Sequence, residues 1–79
     1  MSQQDRTEIF HRHLKGISAH RTAQIFSVLN PAIDFRGCPK RHMLAVWVSD
    51  DSLAEKYGGF THFTEQDLID AKVRASLRW

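Results

Sequence analysis

The stretch His42-Met43-Leu44-Ala45-Val46-Trp47-Val48-Ser49, "HMLAVWVS", decides the fold. Read at a period of two, it is a strand apolar on both faces. Leu44, Val46 and Val48 line one face; Met43, Ala45 and Trp47 line the other. Read at a period of 3.6, it is a short buried helix. Valine and tryptophan favour the strand, because branched and aromatic side chains pack well on a pleated surface. Upstream, Ile33 and Phe35 alternate with Asp34 and Arg36, and Gly37 and Pro39 stand between the two runs where a turn would be. The expectation is a two-stranded antiparallel hairpin, about residues 32–36 against 42–48, packed on helices. An all-α fold is its rival, since so short an apolar run does not settle its own period.

Toward the N-terminus the helical period is plain. Ile9, Phe10, His13, Leu14 and Ile17 fall on one stripe, in a helix that starts near Ser2 or Asp5. Gly16 suits a C-terminal cap, because glycine accepts a positive φ. Ser18 restarts a helix as an N-cap, and Ala19, Thr22, Ala23, Ile25, Phe26 and Leu29 give it a broad apolar side. Asn30-Pro31 stops it, since the residue before proline avoids helical angles. Residues 3–29 therefore read as two helices joined by a corner at Lys15-Gly16-Ile17.

Toward the C-terminus, "SDDS" at 49–52 ends the strand and caps a short helix, "LAEKY", which Gly58-Gly59 closes. The last helix carries the fullest signature. Thr64 and Asp67 make a capping box with Asp in place of Glu or Gln, and Phe63 and Leu68 fit a hydrophobic staple. Glu65, Asp67 and Asp70 crowd its start and Lys72, Arg74 and Arg78 its end, which complements the helix dipole. Leu68, Ile69, Ala71, Val73, Ala75 and Leu77 are expected to form its apolar side. The predicted order is α-α-β-β-(short α)-α, an α+β fold in one domain spanning residues 1–79.

Composition narrows the function. A chain of 79 residues builds a thin core, so each large side chain counts. The net charge of +2 is unevenly spread. Lys/Arg exceed Asp/Glu by four over residues 1–42, and the acids lead by two over residues 43–79. An anionic partner would meet the N-terminal half. One cysteine, Cys38, precludes an internal disulfide; with a polar N-terminus this points to the cytoplasm. The longest apolar run, Met43–Val48, is too short to span a bilayer, so no membrane partner is expected.

No metal, cofactor or catalytic residue is expected. His11 and His13 are two apart, about 200° on a helix, and their rings cannot share an ion. Cys38 and His42 stand alone on the proposed turn, where a closed zinc site wants four ligands. As a nucleophile, Cys38 lacks an orienting group and a cleft. Asp50-Asp51 is accounted for as strand stop and cap, and no phosphate-binding glycine loop is present.

Two macromolecular readings remain. The segment 9–29 has the helix-glycine-helix outline of a DNA-binding motif. That motif wants a small residue four before the glycine and an aliphatic one six after it; here these are Arg12 and Thr22. Arg12, Arg21, Lys40 and Arg41 are the candidate phosphate contacts, with Lys15, His20 and Arg36 beside them. Against this, the chain has five Phe, two Trp and one Tyr, more than so thin a core should need. Trp47, Phe60 and the C-terminal Trp79 are the candidate protein-docking anchors. The favoured reading is a small non-enzymatic binding protein that docks on another protein. It would be an adaptor, regulator or inhibitor, of a make-up common among phage and mobile-element proteins. The alternative is a DNA- or RNA-binding regulator, and self-association stays open.

Overall fold

Ser2, Ser18 and Thr64 each open a helix, and each does it by lending a hydroxyl to a backbone amide that the helix itself cannot satisfy. The computed structural model describes residues 2–48 and 59–78, apart from the side chain of Arg78. Helix α1 spans Gln3–Leu14. Ser2 Oγ accepts from the Asp5 amide (3.1 Å), and the Asp5 carboxylate accepts from the Ser2 amide (3.4 Å). Helix α2 spans Ala19–Leu29, and Ser18 Oγ accepts from the Arg21 amide (3.2 Å). The last helix, α4, spans Glu65–Arg78. Thr64 Oγ1 accepts from the Asp67 amide (3.2 Å), and Asp67 returns the bond by accepting from the Thr64 amide (2.8 Å).

The decisive stretch is helical. Helix α3 spans Lys40–Val48, and no strand occurs among the described residues, so the fold is all-α and the expected α+β hairpin is wrong. Met43, Val46 and Trp47 are the buried residues of α3, at the i, i+3, i+4 spacing of a helix face. Ala45 is exposed, which a strand buried on both sides would not allow. The opening amides of α3 are met by the Pro39 carbonyl, which accepts from His42 (3.0 Å) and Met43 (3.1 Å). The other expected strand, 32–36, is a chain of turns. Asn30 O accepts from the Ile33 amide, Asp34 Oδ1 from Arg36, and Phe35 O from Cys38. Gly37, at φ +78°, makes the last reversal. The short helix expected at "LAEKY", together with Asp50 and Asp51, lies outside the described residues.

Packing follows from the apolar stripes. Helix α2 packs most extensively on α4, α1 packs on α3, and α2 also touches α3. Phe26 of α2 is the centre. Its ring stacks on Phe60 at 5.0 Å, meets Phe35 edge-on at 5.5 Å and Phe10 edge-on at 6.2 Å, and lies 6.4 Å from Trp47. Edge-to-face pairs of this kind add about 0.5–1.5 kcal/mol beyond burial alone. Trp47 and Phe60, two of the aromatics that looked surplus to a thin core, help to fill it.

Arg6 is the unexpected member of this interior. It is 3% exposed, and its guanidinium donates to three carbonyls: Trp47 O (2.6 Å), Phe60 O (2.7 Å) and Phe63 O (2.7 Å). It also lies 3.9 Å from the centre of the Trp47 ring, whose Nε1 donates back to Arg6 O at 2.9 Å. Burial lowers the guanidinium pKa from its ordinary value, yet arginine stays charged in proteins. No carboxylate is among these partners. Carbonyl dipoles and an aromatic face compensate the buried charge, and no buried side-chain N or O among the described residues lacks a partner.

The C-terminal end of α1 is closed by lysines from two other helices. Lys72 Nζ donates to His13 O (2.8 Å) and Lys40 Nζ to Leu14 O (2.6 Å). Cations at the negative end of a helix dipole are favourable, so these contacts tie α3 and α4 to α1. Gly16 turns the chain at φ +85° into α2. No described helix is long and apolar enough to cross a membrane.

Candidate functional site

The sequence nominated seven partner-binding residues, and the fold scatters them. Trp47 and Phe60 are fully buried and belong to the aromatic core, so neither is available as a surface anchor. The reason is the change of period: on a helix, Trp47 shares a face with Met43 and Val46. Trp79 lies outside the described residues. Lys40 is engaged in closing α1, and Arg12 Nη1 is paired with Glu65 Oε2 at 2.7 Å. Arg21 and Arg41 are exposed, and their side chains make no hydrogen bond or ion pair among the described residues. Arg36, half of an exposed pair with Asp34 at 3.0 Å, is already neutralised.

The residues weighed for chemistry do not converge. Cys38 is half-buried, and burial pushes its thiol above the ordinary value, away from the thiolate that a nucleophile needs. No three His, Cys, Asp or Glu side chains among the described residues are placed to hold a metal ion. His13 Nε2 donates to Glu65 Oε2 at 2.7 Å, which makes it a helix-to-helix tie between α1 and α4. Thr22, where a DNA-binding motif wants an aliphatic residue, is fully buried and donates its hydroxyl to Ser18 O at 2.9 Å.

Helix α4 carries the feature that the sequence placed on the wrong side. Leu68, Ala71 and Ala75 are buried, but Val73 is 54% exposed and Leu77 83%. At 100° per residue, Leu77 points about 180° from Leu68 and Val73 about 140° from it. Six apolar residues are too many for one stripe of a helix, and the core took Leu68 and the two nearest it, Ala71 and Ala75. Val73 and Leu77 are left as an aliphatic ridge on the outer face. Beside it, Val28, Pro31, Arg74 and Leu77 border a hollow of about 400 Å³. Asp70 and Arg74, both exposed, run along one side of the ridge.

Two more grooves have mixed walls. One of about 510 Å³ runs between α2 and the loop after it, past His20, Ala23, Ser27, Pro31, Ile33 and Arg36. The other, about 460 Å³, lies at the α1–α2 corner between Ser18, Arg21, Gln24, Lys72 and Ser76. Neither brings together an acid, a base and a nucleophile in contact. No protein-family model, curated protein or solved structure matches this chain.

Proposed function

We propose that this chain is a small non-enzymatic binding protein that docks on another protein molecule, as an adaptor, regulator or inhibitor, and that it docks with the outer face of α4. One observation carries the reading: Leu77 and Val73 form an exposed aliphatic ridge on a helix whose other face is fully used by the core. Fully burying such a side chain gains about 1.5–3 kcal/mol, so a partner that covers both has a substantial driving force. Single exposed leucines are ordinary; two aligned on one helix beside a hollow are the start of a docking patch. Trp79 stays a candidate anchor on sequence grounds.

The test is capture from the native host with and without nuclease, followed by re-measurement with purified partner. Leu77→Asp should abolish binding, while Arg21→Ala leaves it within a few-fold. A second reading, a nucleic-acid regulator, draws on Arg21 and Lys72, which line one groove with no carboxylate among its walls. In that case Arg21→Ala and added salt would weaken binding steeply and Leu77→Asp would not.

A further inference from the structure

We infer that the molecule docked on the outer face of α4 is a second copy of this chain, so that the protein forms a two-fold dimer through α4; this rests on the docking reading above. The order of charges around the ridge favours a second copy. Viewed down α4 from Leu68, Val73 sits at about 140°, Leu77 at about 180°, Asp70 at about 200° and Arg74 at about 240°. Asp70 and Arg74 therefore share one edge of the exposed face, and Val73 lies on the other.

A two-fold axis reverses the helix direction and keeps each edge with itself. With the axis beside Val73, the two Val73 side chains meet on one edge. On the other edge each Asp70 comes opposite the mate's Arg74. The two pairings need nearly the same axis position, midway between 70 and 74 for the charges and at 73 for the valines. Each Leu77 then crosses the seam toward the mate's Ile69, which is half-buried in its own chain. Among the described residues, Arg74 makes no ion pair and Asp70 accepts only from Gln66 Nε2, at 3.1 Å. A face that carries both signs on one edge and an aliphatic ridge between the edges is complementary to itself. The face is small, so the dimer is weak and concentration-dependent.

Sedimentation or light scattering over a concentration series tests this on the whole chain. The wild type should pass from monomer to dimer, and Leu77→Asp should stay monomeric. Asp70→Arg and Arg74→Asp should each weaken association by about tenfold or more, because each sets like charges opposite. An equimolar mixture of those two variants should restore the dimer, since every Arg then faces an Asp. A wild type that is monomeric to its solubility limit, or a mixture that associates no better than its components, overturns the dimer. If partner capture still depends on Leu77 in that case, the docking reading stands without the dimer. If Leu77→Asp alters neither self-association nor capture, both are overturned.

Discussion

Arg6 and Arg12 stand less than two turns apart on α1 and carry the same side chain, yet they do different physical work. Arg6 is buried, with all its reach used on the carbonyls of Trp47, Phe60 and Phe63 and on the Trp47 ring. Arg12 is exposed and meets one carboxylate, Glu65. Water screens the second interaction and is excluded from the first. Arg6 also joins three places that no local rule connects: α1, the end of α3, and the loop before α4. The partners a cation holds, and the water it lost to reach them, decide its weight in the fold.

The largest expected effect tests that directly. Arg6→Met keeps apolar bulk but takes the guanidinium from three carbonyls, of which Phe60 O keeps the Phe63 amide, and should cost about 3 kcal/mol or more. Arg6→Lys should recover little, because a compact ammonium cannot reach three carbonyls spread around a planar fork. Arg12→Met should lower the midpoint of chemical denaturation far less, by an amount that high salt removes. Equal losses at the two positions would break the comparison.

Trp47→Phe comes next. It keeps an aromatic face under the guanidinium but removes the Nε1 donor to Arg6 O and shrinks the core, at about 1–3 kcal/mol. Combining it with Arg6→Met in a double-mutant cycle sharpens the point. The two losses should fall short of additive only by the guanidinium–ring contact, which Arg6→Met removes and Trp47→Phe weakens; the hydrogen bonds they break are separate, because each side chain bonds the other residue's backbone carbonyl.

Local chemistry was readable in the sequence, and tertiary competition was not. Ser18, Thr64 and Asp67 cap as the sequence predicts, because a cap involves residues only three apart. Gly16 and Asn30-Pro31 bound their helices for the same reason. The stretch 42–48 reads as a strand because α3 has only nine residues and opens on the Pro39 backbone carbonyl, with no capping side chain to announce it. Its valines and tryptophan carry a strand preference that burial against α1 and α2 overrides. Arg6 did leave a signal. It continues the stripe of Ile9, Phe10 and His13 by one turn, so an arginine in a core register was visible. Which of α4's six apolar residues would reach the core depended on how α2 packs, and nothing local encodes that. Leu77 and Val73 as an exposed ridge were thus beyond the sequence, as was the loss of Trp47 and Phe60 as anchors.

A cap is the intermediate case, exposed like the Arg12 pair but made between residues only three apart. Thr64→Ala should destabilise the fold by about 1 kcal/mol, through the lost bond to the Asp67 amide. An unchanged denaturation midpoint would mean that Asp67 alone suffices to close this end of α4.

The smallest effect lies on the Arg12 side and is read by pH. Glu65 accepts from His13 Nε2 and from Arg12 Nη1, both at 2.7 Å. These bonds hold its carboxyl below the ordinary value of 4.5, with His13 the larger cause. A carboxyl whose pKa is lower folded than unfolded stabilises the fold above the unfolded value. That contribution is lost as pH falls through the folded value. The window therefore opens below about pH 4.5, and neutral pH lies wholly on the stabilised side. Glu65 sits at the surface, so solvent screens the effect and only a comparison exposes it. The wild-type Tm should fall more steeply with acid than that of Glu65→Gln, and the two curves should converge at the acid end. High salt should narrow the gap at neutral pH, because the Arg12 pair is open to ions. Parallel curves would show that the tie between α1 and α4 contributes nothing measurable. A steeper fall in Glu65→Gln would reverse the sign and place the destabilising charge at Glu65 itself.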